Sequence, residues 1–284
     1  MEQAKLRGMG WERDLPDFRD YTVSTPKVAE ILTKSRRLAA TAEAMLPKQD
    51  LREWCSPVED QGDLGSCTAN AGVGLLEYFE RRAFGNYLDG SRLFLYKVTR
   101  DLLGWQGDQG ATLRSTMQAM VMLGVPPEQY WSYNIPRFDE EPPSFCYSLG
   151  QNYKAVTYFR LDPPSATPTQ VKDAIRTQLA AGLPSMFGFT VFSSFPRVGD
   201  RKVDISFPQQ GDSVLGGHAV VAVGYDDARV IGSERGALLI RNSWGPDWGD
   251  GGYGWMPYAY VERGLADDFW SLVRADFVDT DLFK

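Results

Sequence analysis

Residues 61–71 read QGDLGSCTANA and join a glycine-containing loop to a run with helical spacing of apolar residues. Cys67 therefore falls at a helix N-terminus, where free backbone N–H groups and the helix dipole favour thiolate over thiol. Gly65 and Ser66 lack bulk and leave room for a substrate backbone. Gln61, just upstream, carries a neutral amide that can donate to an oxygen that becomes negative during attack on a carbonyl.

A buried cysteine is more often a small hydrophobic residue than a nucleophile, so the assignment depends on partners elsewhere in the chain. His218 is the only histidine, and any histidine base must be this residue. It lies in the sequence GHAV at the start of an apparent strand. Asn242, in the sequence RNSWG, is the residue type that orients such a base. Taken singly, His218 also fits a packing residue and Asn242 a turn residue.

The three blocks together, in this order, resemble the papain-like cysteine peptidases from about residue 46 to the C-terminus. The closer resemblance is to bacterial members of the xylellain type, which have a short propeptide. The resemblance implies an endopeptidase that forms a thioester on Cys67, with His218 as base, Asn242 as its orienting group and Gln61 in the oxyanion hole. The alternatives are an amidase, exopeptidase or transpeptidase with the same chemistry, or a silent binding homologue.

The same resemblance implies which residues line the substrate cleft. Gly110 matches a loop glycine that binds extended peptides, whereas its companion is replaced by Ala111 and a disulfide cysteine by Asp108. A pocket at Leu113 and Gly188 is expected to take a large apolar side chain. The expected cleft residues are Gly110, Ala111, Leu113, Gly188, Gly217 and Trp244, the last as an indole covering the Asn–His hydrogen bond.

The pattern of elements predicts an α+β fold in which a helical lobe and a mostly strand lobe enclose a cleft with the active site. The resemblance implies that this is the papain-like two-lobe fold, in which the second lobe is an antiparallel β-barrel-like one. The helical lobe is assigned to residues 46–150 and carries the nucleophile, and the β lobe to residues 151–284. Helices are expected at 67–83, 91–100, 113–123 and from Thr167 to Gly182, and strands at 185–192, 218–225, 237–242 and 253–256.

Residues 1–45 are expected to form a pro-segment or lid that lies along the cleft, with a helical patch at 25–46. The reason is that Trp11 and Phe18, in an otherwise charged stretch, need apolar surroundings. The alternative is an ordinary terminal extension packed on the surface.

Composition narrows the classes of partner. The chain has 284 residues and a formal net charge of −7, which argues against nucleic acid. One histidine excludes multi-histidine metal sites, and no cofactor is expected. No apolar run reaches the roughly 20 residues of a membrane span, and the N-terminus lacks a conventional signal. The protein is therefore expected to be cytoplasmic or exported by another route. It is also expected to be a monomer. Cys55 and Cys146 either pair or stay reduced.

Overall fold

The computed structural model describes residues 8–34, 46–153, 157–201 and 203–273. Its helices are α1 Pro26–Lys34, α2 Cys67–Phe84, α3 Arg92–Leu103, α4 Leu113–Met122, α5 Ser144–Gly150, α6 Pro168–Ala180 and α7 Ala259–Glu262. Its strands are β1 Trp11–Glu12, β2 Lys48–Asp50, β3 Ala111–Thr112, β4 Thr157–Arg160, β5 Ser185–Phe192, β6 Val214–Ile231, β7 Glu234–Arg241, β8 Tyr253–Pro257 and β9 Ala266–Val273.

The four helices expected at 67–83, 91–100, 113–123 and 167–182 begin and end close to the predicted bounds, whereas α5 and α7 were not predicted. Helix α2 ends at Gly85, which has a φ of 75° and accepts the left-handed conformation that closes a helix. Ser91 caps α3 by accepting a hydrogen bond from the Phe94 N–H. Thr167 and Gln170 form the expected capping box at the start of α6. Local capping chemistry thus fixes the ends of the helices that carry the site.

Within the described residues, six strands follow the order β4-β9-β5-β6-β7-β8 in one antiparallel sheet, and β2 adds to β6. Four of these strands were expected. Strands β2, β4 and β9 were not predicted. Strand β2 is only three residues long, and β9 has the polar pair Asp267 and Asp268 directly after its first residue, Ala266. The structure therefore has the predicted α+β arrangement, a helical lobe against a mostly antiparallel sheet lobe.

The cleft between the lobes is lined on one side by the loops before α2 and α4 and on the other by β5 and β6. Residues 8–12 of the described N-terminal segment lie along it, where β1 pairs in parallel with β3. Of the two aromatic residues expected to be buried there, Trp11 is only 9% exposed, but Phe18 is 98% exposed. The expectation for Phe18 was wrong, because the chain turns outward at that residue. Of the expected helix at 25–46, residues 35–45 lie outside the described part.

Two further properties bear on the expectations. Cys55, Cys67 and Cys146 are all free and buried, so Cys55 and Cys146 are not joined. Within the described residues no helix is both long and apolar enough to cross a bilayer.

Candidate active site

Cys67 is the first residue of α2 and is completely buried. Its sulfur receives backbone hydrogen bonds from Cys67, Thr68, Ala219 and Gly10, all of which favour thiolate. Burial outweighs them and raises the pKa of the thiol to about 11. In this closed conformation the helix N-terminus therefore does not yield the ionised thiol that the sequence suggested, because water is excluded from the sulfur.

His218 on β6 and Asn242 at the end of β7 form the second part of the site. The ring Nε2 lies 2.7 Å from Asn242 Oδ1, and the Ser243 N–H donates to the same oxygen at 2.8 Å. Since Oδ1 is the acceptor, Nε2 carries the proton. The other ring nitrogen, Nδ1, has no hydrogen-bond partner among the described residues. Burial lowers the pKa of His218 to about 4, so the imidazole is neutral here.

The two halves of the site meet at Ala219. This residue directly follows His218, and its backbone N–H is one of the donors to the Cys67 sulfur. The Cys67 sulfur thus contacts the residue next to His218, although the two candidates come from positions far apart in the sequence. The described structure has no hydrogen bond between Cys67 and His218 Nδ1.

Trp244 lies over the histidine ring. The ring centroids of Trp244 and His218 are 4.9 Å apart, and the indole is 1% exposed. Phe195 and Trp248 pack against the other side of this group. The His218–Asn242 hydrogen bond therefore lies in dry surroundings, which strengthen it.

Gln61 is held from both ends of its amide. Its Oε1 accepts from Ser243 Oγ at 2.5 Å, and its Nε2 donates to Leu64 O at 2.8 Å. The remaining Nε2 hydrogen is donated to the carbonyl oxygen of Gly8 at 2.9 Å. Gln61 thus already binds a backbone carbonyl in the cleft, as an oxyanion-hole donor would.

Two supporting residues were missed by the sequence interpretation. Asp108 accepts hydrogen bonds from the Gly65 N–H at 3.0 Å and from the Tyr96 hydroxyl at 2.6 Å. It thereby ties the nucleophile loop to the loop before β3, at the place where relatives were expected to have a disulfide. Tyr133 donates to the Gln61 carbonyl at 2.9 Å and contacts Ser66 Oγ. The role of Asp108 could have been inferred from the sequence, because this residue stands where relatives have a disulfide cysteine. No sequence feature near Tyr133 indicated its role.

The expected cleft residues meet the N-terminal segment. Ala111 N–H donates to Gly10 O at 2.8 Å, and a Cβ on Gly110 would lie 2.2 Å from the same oxygen. A Cβ on Gly188 would lie 1.9 Å from the Trp11 indole, and one on Gly217 would lie 2.4 Å from the Trp11 carbonyl oxygen. Leu113 is fully buried at the start of α4, directly after β3.

The segment itself has no room for side chains where it passes the nucleophile loop. A Cβ on Gly10 would lie 1.9 Å from Gly65 O, and one on Gly8 would lie 2.3 Å from Leu64 O. Gly8 N–H also donates to Gly62 O at 3.1 Å. Glycine is thus required at both positions by close backbone contact.

Beyond the cleft, charged side chains anchor the segment. Asp14 accepts from the Arg114 backbone N–H at 2.9 Å, and Asp20 pairs with the Arg114 guanidinium at 2.7 Å. Burial raises the pKa of Asp14 to about 6. Further along, Val28 and Leu32 of α1 are buried.

Comparisons with known proteins agree with this geometry. The model of the papain family of cysteine proteases matches residues 46–269. The chain is 33% identical over 276 residues to an uncharacterized peptidase C1-like protein of Acanthamoeba polyphaga mimivirus, covering 93% of this chain and 86% of that protein. Chymopapain of Carica papaya is 27% identical over 205 residues, which cover 70% of this chain and 50% of chymopapain.

Among solved structures, xylellain, a cysteine protease from Xylella fastidiosa, is similar with a TM-score of 0.74 and 36% identity. The match covers 96% of this chain and 99% of that one. The resemblance predicted from the three sequence blocks is thereby confirmed. The chain belongs to the papain family of cysteine proteases and is a cysteine-type peptidase.

Proposed function

We propose that the chain is an endopeptidase that attacks internal peptide bonds with Cys67, and that its own N-terminal segment holds it inactive. The observation that carries the proposal is the Gln61 amide donating to a backbone carbonyl of that segment. A carbonyl bound there stands in for the carbonyl of a substrate.

The first half of the reaction forms the thioester. When the cleft is open, the Cys67 thiol gives its proton to His218 Nδ1, the ring nitrogen without a partner in the described structure. The sulfur attacks the carbonyl carbon, and the negative oxygen is stabilised by Gln61 Nε2 and the Cys67 N–H. Each such donor contributes roughly 10² to 10³ in rate. His218 then protonates the leaving amine as the C–N bond breaks.

The second half regenerates the enzyme. Water loses a proton to His218 Nδ1 and attacks the thioester, and the oxyanion uses the same two donors. The C–S bond breaks and the thiolate recovers its proton. Throughout, the hydrogen bond from Nε2 to Asn242 Oδ1 keeps the ring oriented and stabilises the imidazolium.

Several contacts support inhibition by the segment. The backbone N–H of Gly10 reaches the Cys67 sulfur, so the thiol meets a hydrogen-bond donor and no electrophilic carbon. Trp11 fills the space over Gly188, and Ala111 binds the segment backbone. Residues 1–45 therefore act as the pro-segment in this proposal, and residues 46–150 and 151–284 as the lobes that carry nucleophile and base.

The proposal is tested on the full chain with the substitution Gly10→Leu, which we call the opened variant because a side chain at residue 10 clashes with Gly65. The substrate is an internally quenched peptide blocked at both ends, which exopeptidases do not cleave. We expect cleavage by the opened variant, slower cleavage by the unaltered chain and none after Cys67→Ala in the opened variant. Cleavage that survives Cys67→Ala would remove the nucleophile assignment. Cleavage confined to peptides with a free end would make the chain an exopeptidase.

A further inference from the structure

The two donors of the proposed oxyanion hole come from opposite ends of one short loop. Gln61 supplies its side-chain amide, and Cys67, six residues later, supplies its backbone N–H. Gly62 and Gly65 lie between them, so the loop by itself does not fix the distance between the donors. Both donors must lie about 2.7 to 3.1 Å from the developing oxyanion. A contact that joins the two ends of this loop therefore bears on the reaction rate.

Tyr133 makes such a contact from a separate part of the chain. Its hydroxyl donates to the Gln61 carbonyl oxygen at 2.9 Å, and it lies 2.6 Å from Ser66 Oγ. A phenol has one hydrogen and a carbonyl oxygen only accepts, so Ser66 is the donor in the second hydrogen bond. Tyr133 thus joins Gln61 to the residue directly before Cys67.

Asn70 continues these hydrogen bonds on the side of α2. Its Nδ2 donates to Ser66 Oγ and to Ser66 O, both at 3.0 Å. The Ser66 carbonyl and the Cys67 N–H belong to one planar peptide group, so the second bond helps to orient the second donor. The hydrogen bonds run in one direction, from Asn70 through Ser66 and Tyr133 to Gln61. Each hydroxyl in this chain both accepts and donates, and such chains strengthen their own bonds.

Arg92 of α3 keeps the chain of hydrogen bonds in place. Its guanidinium lies 4.1 Å from the centroid of the Tyr133 ring, and its Nη1 is 3.4 Å from Asn70 Oδ1. Glu59 pairs with the same guanidinium at 2.8 Å. Burial raises the pKa of the Tyr133 hydroxyl to about 12, so this group remains a donor at neutral pH. None of these contacts involves the N-terminal segment, and all of them remain when the cleft opens.

We propose that Tyr133 is a positioning residue, which holds Gln61 Nε2 and the Cys67 N–H at the spacing that one oxyanion requires. This inference rests on the proposed function of the cleft. Tyr133 acts through Gln61 and Ser66, without a contact of its own to the substrate. Its loss should therefore slow the chemical step and leave peptide binding and the reactivity of the thiol unchanged.

The test is Tyr133→Phe in the opened variant of the full chain, with the internally quenched peptide as substrate. We expect kcat to fall roughly 10-fold and KM to change less than about twofold, because a misplaced donor loses part of its contribution. Alkylation of Cys67 by iodoacetamide forms no oxyanion, so its rate should stay the same. The control is Tyr130→Phe, which removes the hydroxyl of a half-exposed tyrosine and should change neither rate. An unchanged kcat in Tyr133→Phe would overturn the proposal.

A double-mutant cycle with Gln61→Ala separates positioning from a general structural role. When the Gln61 amide is already absent, Tyr133→Phe should lower kcat less than about threefold, because the donor that it places is gone. An equal fall in the presence and absence of the amide would contradict the proposed positioning.

Peptide mapping shows whether Tyr133→Phe retains the fold, since Cys55 and Cys146 are buried and react with iodoacetamide only after unfolding. If they do react, Ser66→Ala decides, because it breaks the same chain of hydrogen bonds one step away. A kcat unchanged by Ser66→Ala would then overturn the proposal. If the opened variant with Tyr133 intact is alkylated at Cys67 but cleaves no peptide, the proposed endopeptidase function fails, and this inference with it.

Discussion

The two halves of the N-terminal segment bind by different means. Residues 8–12, the cleft half, bind mainly through the backbone: Gly8 donates to Gly62 O and accepts from Gln61, and Gly10 accepts from Ala111. Trp11 adds a side chain, which packs over Gly188. Residues 13–34, the anchor half, bind through side chains, chiefly carboxylates on Arg114 and the buried apolar face of α1.

In the proposed inhibition, the cleft half blocks the site and the anchor half keeps the segment in place. Backbone contacts allow a strand to occupy a peptide-binding cleft, but at Gly8 and Gly10 they leave no room for a Cβ. The anchor half instead has several charged and apolar contacts outside the cleft, so the loss of one leaves the others. Their common effect is to keep the cleft half at a high effective concentration beside Cys67. The cleft half should therefore respond to one substitution almost completely, and the anchor half only in part.

The largest effect is expected from Gly10→Leu. The Cβ would lie 1.9 Å from Gly65 O, and neither backbone can move without breaking the contacts described above. Alkylation of Cys67 by iodoacetamide, followed by mass spectrometry with peptide mapping, tracks the population in which the cleft is open. We expect its rate at neutral pH to rise at least about 100-fold.

Met9→Leu is the matched control, because it changes the intervening residue with little change of volume. Such exchanges typically cost less than about 1.5 kcal/mol, so its alkylation rate should stay well below that of Gly10→Leu. Equal alkylation rates in the two variants would contradict the claim that close backbone contact at Gly10 is what keeps residues 8–12 in the cleft.

The second prediction concerns pH. Burial raises the pKa of Cys67 to about 11. In the proposed inhibition the segment supplies this burial, so docking is favoured by the protonated thiol. Docking is therefore strongest below the ordinary thiol pKa of about 8.5 and weakens as the pH rises towards 11. The alkylation rate of the intact chain should still be rising at pH 10. That of the opened variant should level off at a lower pH, because water reaches the sulfur and the helix N-terminus then favours the thiolate. Parallel pH profiles would show that burial by the segment does not control the thiol.

The catalytic candidates could be read from the sequence because each is part of a short block. Gln61 and Cys67 are six residues apart in one loop, and the single histidine left no choice of base. The neutral state of Cys67 could not be read in the same way, since its pKa depends on how deeply the folded chain buries the sulfur and on contacts such as the Gly10 N–H, more than 50 residues away. The assigned roles stay predictions until the variants are measured.

The pocket was less predictable than the catalytic centre. Gly188 and Trp11 were both singled out, but nothing indicated that one lies on the other. Asp268, which accepts a hydrogen bond from the Trp11 indole, was missed because its direction depends on a bulge in β9, and this contact joins residues 257 positions apart. Strand β9 was missed because the two aspartates near its start, Asp267 and Asp268, are typical of a loop. The prediction of the pocket was limited mainly by the register between distant strands, which local propensity does not reveal.

A smaller effect is expected from Asp20→Asn in the anchor half. Asp20 binds the Arg114 guanidinium through both oxygens, at 2.8 and 2.7 Å, and Arg160 Nη1 is 3.6 Å away. The amide keeps the shape and one acceptor but removes the charge. Because the Asp20 and Arg114 side chains are only 9% and 15% exposed, this should weaken docking by roughly 1 to 2 kcal/mol. The alkylation rate should rise roughly five- to thirtyfold, with little dependence on salt, because a largely buried pair is screened little. A rise as large as that of Gly10→Leu would mean that the anchor half, and not the cleft half, keeps the site closed.

The smallest effect is expected from Asp17→Asn, the same exchange three residues earlier. Asp17 pairs with Arg19 within the segment, and this exposed pair holds the pKa of the Asp17 carboxyl well below its usual range. Among the described residues, the carboxylate makes direct contacts only with Arg19 and is attracted to the Arg114 guanidinium only weakly, over a longer distance. Asparagine can still accept from the Arg19 backbone N–H as Asp17 does at 2.9 Å. The alkylation rate should therefore stay close to that of the unaltered chain. If Asp17→Asn opened the cleft as much as Asp20→Asn, negative charge on the segment in general would retain it, and the specific contact with Arg114 would not.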